Sequence, residues 1–202
     1  MEVKEIKKLN ETCFNSDIEE ILSELEKTQH DYWNLDRYCA NFLNMLIKIN
    51  RSKNVLEIGT SNGYSGIWIL KALEETGGHF TTIEFWEKRQ RVARENFKVT
   101  KSPCEPKIGS AIVVLEDLLS EIQNNKREKY DFIFIDANKK EYLSYFKLVN
   151  QMISDDGVIL ADNILSHKEK TAPYVEELYG NKNYSSQILE LGAGMMLSVK
   201  HQ

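Results

Sequence analysis

The sequence predicts an α/β fold built on a mostly parallel sheet, and three observations carry that prediction. From Asn54 onward, short apolar runs alternate with amphipathic helical stretches. The first 50 residues show helical periodicity instead. Near the end, two strand-like segments, Ser186 to Leu191 and Met195 to Lys200, flank Gly192-Ala193-Gly194, as the arms of an antiparallel hairpin flank their turn.

In the N-terminal part, Ile18, Ile21, Leu22 and Leu25 recur at helical spacing, and so do Phe42, Leu43, Leu46 and Ile47. The strands expected after them are Val55 to Ile58, Phe80 to Ile83, a weaker one near Lys107-Ile108, Phe132 to Ile135 and Val158 to Ala161. Helices are expected near 64–75, 86–99, 111–123, 139–153 and 168–179. Right-handed βαβ crossovers would place these helices on both faces of the sheet. No repeat or linker divides the chain, so residues 1–202 read as one domain, with 1–50 a helical cap and 51–202 the α/β core.

Composition narrows the function. The 202 residues carry 26 basic and 31 acidic side chains, a net charge of -5, which argues against a nucleic-acid partner. Cys13, Cys39 and Cys104 are an odd, scattered set, fitting neither a disulfide framework nor a CxxC zinc site. There is no apolar stretch of membrane-spanning length. The charged start, Met1 to Glu5, does not read as a secretory signal. A cytoplasmic protein with no membrane partner is the expectation.

In such sheets, ligands bind beyond the carboxyl ends of the strands. The first strand runs into Gly59-Thr60-Ser61-Asn62-Gly63-Tyr64-Ser65, a glycine-containing turn that leads into a helix. The dinucleotide fingerprint GxGxxG is absent. Glu57, at the strand end, either meets a cation such as an amino group or is a solvated acid on a tight turn. The same stretch fits G-x-S-x-G, the hydrolase elbow, with Asp162 and His167 available later. The strands that normally precede such an elbow are missing, and so is an HGGG-type oxyanion segment.

Glu84 lies 25 residues after Gly59 at the second strand end, where a carboxylate can accept from two ribose hydroxyls. Asp136 follows the fourth expected strand, and Asp162-Asn163 follow the fifth. Two carboxylates and an amide oxygen make a hard oxygen site suited to magnesium or manganese, with helix capping as the competing explanation. Lys139, three residues after Asp136, would be a general base if a nearby metal depressed its pKa, with Lys140 its neighbouring competitor.

Taken together, these segments resemble the metal-dependent O-methyltransferases of the catechol and caffeoyl-CoA type. The residues that carry the resemblance are Val55-Leu56-Glu57-Ile58-Gly59 with Gly63-Tyr64-Ser65, Ile83-Glu84, Ile135-Asp136-Ala137-Asn138-Lys139 with Tyr142, Ala161-Asp162-Asn163, and the terminal Gly192-Ala193-Gly194 with Leu197 to Lys200. The resemblance implies a Rossmann-like, seven-stranded methyltransferase sheet with a closing antiparallel hairpin. It implies S-adenosyl-L-methionine as cofactor. Glu57, Gly59, Ser61 and Ser65 would line its methionine part, Glu84 would hold the ribose, and Gly109-Ser110-Ala111 would border the adenine. It implies a divalent metal, magnesium first, with manganese or calcium as alternatives, on Asp136, Asp162 and Asn163. Asp136 would also border the cofactor. Lys139 would take the hydroxyl proton, and Trp33-Asn34 would form part of a lid. The substrate would be a small hydroxylated molecule of the aromatic vicinal-diol kind. The apolar faces of the N-terminal helices would serve either as a homodimer interface or to pack on the chain's own sheet.

The chain departs from the family at Asn138, where relatives often have a second acid, at Ala40, where many have glycine, and at Glu190, where bacterial members often have proline. Glu190 or His167 would be candidates for contacting substrate. Rival readings are a metal-independent methyltransferase on the same fold, a serine hydrolase, and a binding module without catalysis.

Overall fold

The computed structural model describes residues 13–202. The charged stretch from Met1 to Glu5 lies outside them. Among the described residues three helices come first: α1 (Ser16–Lys27), the single turn α2 (Gln29–Tyr32) and α3 (Arg37–Ile49). Asn15 caps α1, its side chain accepting from the Ile18 amide. Trp33 ends α2 in the left-handed region, at φ 55°, so Trp33-Asn34 form a bend between two helices.

The core then alternates as expected. β1 (Asn54–Ile58), α4 (Tyr64–Thr76), β2 (His79–Glu84), α5 (Glu87–Phe97), β3 (Cys104–Ile108), α6 (Ala111–Gln123) and β4 (Tyr130–Ile135) follow one another. A 3₁₀ turn (Lys139–Glu141) leads into α7 (Tyr142–Met152) and β5 (Ile153–Ala161). The chain closes with α8 (Lys168–Gly180), β6 (Tyr184–Leu189) and β7 (Met195–Lys200).

The seven strands form one sheet in the order β3-β2-β1-β4-β5-β7-β6. β1 to β5 pair in parallel, and β7 runs antiparallel between β5 and β6. Strand order reverses between β1 and β4, which opens a crevice at their carboxyl ends.

Alternation along the strands divides the core between the two faces. Val55, Phe80, Phe132, Phe134 and Leu160 pack with Ile18, Leu22, Leu43 and Trp68 on one side. Leu56, Ile58, Ile133, Ile135 and Ile159 pack with Leu115, Tyr142, Phe146 and Tyr174 on the other. The N-terminal helices thus share the first core with the sheet and with α4.

Three expected boundaries move. The helix expected over 139–153 begins as a 3₁₀ turn and gives up Ile153 to β5. β3 is a full five-residue strand that contains Pro106, which is tolerated because β3 is the sheet's edge. β6 starts at Tyr184 and stops at Leu189, two residues earlier at each end than the sequence suggests. No helix among the described residues is long and apolar enough to cross a membrane.

Candidate active site

The crevice holds a cavity of about 740 Å³ at the carboxyl ends of the parallel strands. Glycine makes its floor. Gly59 has φ 109°, and a Cβ there would stand 2.1 Å from the Asp136 carbonyl oxygen. Only a residue without a side chain lets the end of β1 lie this close to the end of β4. The Gly59 and Thr60 amides both donate to the Ile83 carbonyl, which ties the loop to β2 as well.

Most of the expected cofactor residues line this cavity: Gly59, Ser61, Ser65, Glu84, Gly109, Ser110, Ala111 and Asp136. Glu84 is fixed by two backbone amides. Ser61 N–H donates to Oε2 and Trp86 N–H donates to Oε1, each at 2.8 Å. A carboxylate accepts about two bonds per oxygen, so both oxygens keep capacity toward the cavity.

Glu57 stands elsewhere. It is fully buried beneath the loop and does not line the cavity. Ser65 Oγ donates to its Oε1 at 2.5 Å and Thr82 Oγ1 to its Oε2 at 2.6 Å. Burial pushes its carboxyl up to about 7. The two hydroxyl bonds pull the other way, and the nearby acids Asp136 and Glu84 push it further up.

At the β4 and β5 ends, Lys139 Nζ lies 2.9 Å from Asp136 Oδ1. Asp162 is buried, its Oδ1 has no hydrogen-bond partner among the described residues, and Asn163 lines the cavity. Burial raises the Asp162 carboxyl above the ordinary carboxylate range, and the charge of Asp136 raises it further. An unpaired buried oxygen beside a second carboxylate suits a cation. The donor chemistry therefore fits a divalent metal held by Asp136, Asp162 and Asn163. Among the described residues no group of three or more His, Cys, Asp or Glu side chains forms a metal cage; the expected set has two carboxylates and one amide.

Asn138 points to a structural role, its Oδ1 accepting from the Lys140 amide at the start of the 3₁₀ turn. Tyr142 is buried and donates to the Ile135 and Asp162 carbonyls, bracing both strand ends. Ser61 Oγ donates to the Tyr32 carbonyl at 2.9 Å, and His167 Nδ1 faces Ser166 Oγ at 3.0 Å. These partners give no support to a serine–histidine nucleophile.

The expected lid pair, Trp33-Asn34, lies over the cavity mouth, with Trp33 74% exposed. The Arg89 guanidinium sits 4.8 Å from the Trp33 ring centroid and 5.6 Å from that of Tyr32. Tyr64 is buried and its hydroxyl donates to Glu26 Oε1 at 2.6 Å. Glu190 does not line the cavity, whereas His167 does.

Sequence reasoning missed Asn62, Phe85, Trp86, Arg89, Tyr145 and Lys170 as lining residues. For Phe85 and Trp86 a signal was present. Two large aromatics directly after a strand-end acid face solvent, 61% and 62% exposed, which the core does not require.

Comparison with known proteins bears on this geometry. Over residues 12–192 the sequence matches a family described as O-methyltransferase. It is similar to a catechol O-methyltransferase of Niastella koreensis, 35% identical over 128 residues, covering 62% of this chain and 56% of that one. It is also similar to caffeoyl-CoA O-methyltransferase 1 of Arabidopsis thaliana, 35% identical over 160 residues, covering 73% of this chain and 58% of that one. The matches thus span less than two thirds of these curated relatives. Among solved structures, the O-methyltransferase of Bacillus cereus in complex with SAH is similar, with a TM-score of 0.78 and 28% identity, covering 93% of this chain and 91% of that one. With nearly the whole chain inside one family match, this protein belongs to the O-methyltransferase family.

Proposed function

We propose that the chain transfers a methyl group from S-adenosyl-L-methionine to a hydroxyl oxygen of a small vicinal diol. The observation that carries this is that Asp136 and Lys139 line one end of the cavity, while Asp162, buried behind them with an unpartnered oxygen, feels the charge of both. The relative solved with SAH supports the choice of cofactor, and the names of the catechol and caffeoyl-CoA relatives support the substrate class.

In this reading the cofactor lies over Gly59, with its methionine part toward Ser61 and Ser65. Its ribose meets Glu84, and its adenine meets Gly109-Ser110-Ala111. Glu57 acts from below by holding the Ser65 hydroxyl. Asp136, Asp162 and Asn163 would hold a divalent ion. Such an ion supplies chelation of two neighbouring hydroxyls and makes one of them more acidic.

The protein's own residues then do three things. Lys139, in its neutral amine form, accepts the proton of the reacting hydroxyl. The cavity walls hold that oxygen in line with the sulfonium methyl, so that the new O–C bond forms as the C–S bond breaks, its electron pair returning to sulfur. Trp33-Asn34, held down by Arg89, keeps water from the reacting atoms.

A methyl-transfer screen over catechols and other vicinal diols, with and without magnesium, tests the proposal. Activity should require magnesium and disappear with a chelator; full activity in chelator would remove the metal from the mechanism. Lys139→Ala should lower kcat by about 100-fold or more while leaving cofactor affinity, measured by calorimetry, near wild type. Equal loss of both would make Lys139 a binding residue.

A further inference from the structure

Tyr32-Trp33-Asn34-Leu35, at the bend between α2 and α3, all line the cavity, and so does Arg89 in the first turn of α5. The four residues cross the cavity mouth as a strap. Both ends of the strap are tied down. The Tyr32 carbonyl accepts from Ser61 Oγ at 2.9 Å, and Leu35 is buried in the core. Asn34 is held from behind, its Nδ2 donating to the Leu25 carbonyl at 3.0 Å. Trp33, at the apex, has no such tie. Its side chain is exposed and belongs to neither core, and its backbone takes the left-handed region without being glycine.

Arg89 is what holds the apex. Its guanidinium stacks on the Trp33 ring and also faces Tyr32. It forms no ion pair among the described residues, and its hydrogen bond to the Asp31 carbonyl is long, at 3.5 Å. Its charge is therefore directed at the two rings. Ser61 links this clasp to the acid assigned to the ribose. Its Oγ bonds the strap, and its N–H bonds Glu84 Oε2. Trp86, three residues before Arg89, holds the other oxygen of Glu84 through its own N–H. The hydrogen bonds and ring contacts that Tyr32 and Trp33 make beyond α2 thus go to residues following β1 and β2. Cation–π pairs at exposed sites are weak, and a weak bond suits a part that must open.

We propose that Arg89 is the clasp of a gate: a molecule lying along Gly59 from Ser65 to Glu84 enters and leaves only when the Trp33 and Tyr32 rings part from the guanidinium. This rests on the methyl-transfer reading, in which that molecule is the adenosyl cofactor and, after transfer, its demethylated product. Arg89 is a positioning residue, acting through the strap and not on the reacting atoms. A gate alters entry and escape alike, because the same opening serves both. A residue that only gripped the ligand would alter escape alone.

The test is surface plasmon resonance of the whole chain with S-adenosyl-L-methionine and S-adenosyl-L-homocysteine. Arg89→Ala should raise the association and dissociation rates together by about ten-fold, leaving Kd within about two-fold of wild type. Arg89→Lys keeps the charge but loses the planar face, and its rates should fall between. Trp33→Leu keeps an apolar cover but loses the ring face. R89A/W33L should release S-adenosyl-L-homocysteine no faster than R89A, because both changes break one contact. Should R89A fail to fold by circular dichroism, R89K and W33L carry the same test. A rise in dissociation alone, additive effects of the two substitutions, or unmoved rates in folded variants would overturn the gate while leaving cofactor binding intact. Absence of binding by the wild-type chain would overturn the cofactor reading, and the gate with it.

Discussion

At the residue scale, Glu57 shows how a strand can carry an acid into the core. Its Cα partner in the parallel register is Thr82, and the hydroxyl of that residue satisfies one carboxylate oxygen. The folded carboxyl titrates near 7, above its ordinary 4.5. A raised carboxyl binds its proton more tightly in the folded chain than in the unfolded one. The stability it contributes is therefore present below the ordinary value and lost as pH rises from about 4.5 to about 7. That loss amounts to roughly 3 kcal/mol. Thermal unfolding of the cofactor-free protein should show Tm falling across this window, and Glu57→Gln should flatten the slope; an unchanged slope would show that another group sets it. The sequence displayed Glu57 as a strand-end acid but not its depth. The readable clue was Thr82 at the same level of the neighbouring strand, and its use required the register. Asp136, Asp162 and Asn163 were legible because each directly follows an unbroken apolar run. Phe85 and Trp86 were legible only as two aromatics directly after a strand-end acid, and Arg89 not at all, because its place on the rim depends on where α5 begins.

At the element scale, the N-terminal helices are fixed by one cation. Arg37, at the start of α3, reaches Glu19 Oε2 and Glu26 Oε1 in α1, both at 2.8 Å, and its guanidinium lies 5.8 Å from the Trp68 ring centroid in α4. Glu26 Oε1 also accepts from the Tyr64 hydroxyl at the first turn of α4. This joins α1, α3 and the helix that opens the cofactor loop. Arg37→Ala leaves two partly buried acids and a tyrosine without their cation, and should lower stability by about 2 kcal/mol. Urea unfolding would show it; a loss below a few tenths would mean the acids re-solvate freely. Helical spacing announced these elements, but the bend at Trp33 was hidden, since no glycine or proline marks it. The same lack of punctuation hid the passage from α7 to β5 at Ile153. For β3, Pro106 and the charges around it masked a strand that an edge position permits.

For the molecule as a whole, the hairpin does more than finish the sheet. The Gly194 carbonyl accepts from the Ile164 amide at 2.8 Å, and the Ala193 carbonyl accepts from Leu165 and Ser166. The turn thus grips the loop that carries Asn163 and His167. Gly194 has φ 88°, and a Cβ there would lie 2.3 Å from Leu165 Cγ. Gly194→Ala should lower Tm and raise KM for the proposed diol substrate more than it weakens cofactor binding, because the disturbed loop belongs to the β5 end. Equal loss of both would place the damage in the whole sheet. The hairpin itself was plain from its glycines. The insertion of β7 beside β5 was not, because strand order is set by packing and not by sequence neighbourhood.

That insertion has a consequence for how the protein is made. β7 is translated after every residue that lines the cavity, yet it supplies the outer partner of β5 and the grip on its loop. A chain cut just before Met195 should still hold β1 to β4 in contact while its β5 rim hangs loose. The loop that carries Asn163 and His167 would then gain its order in one late step, when β7 docks beside β5.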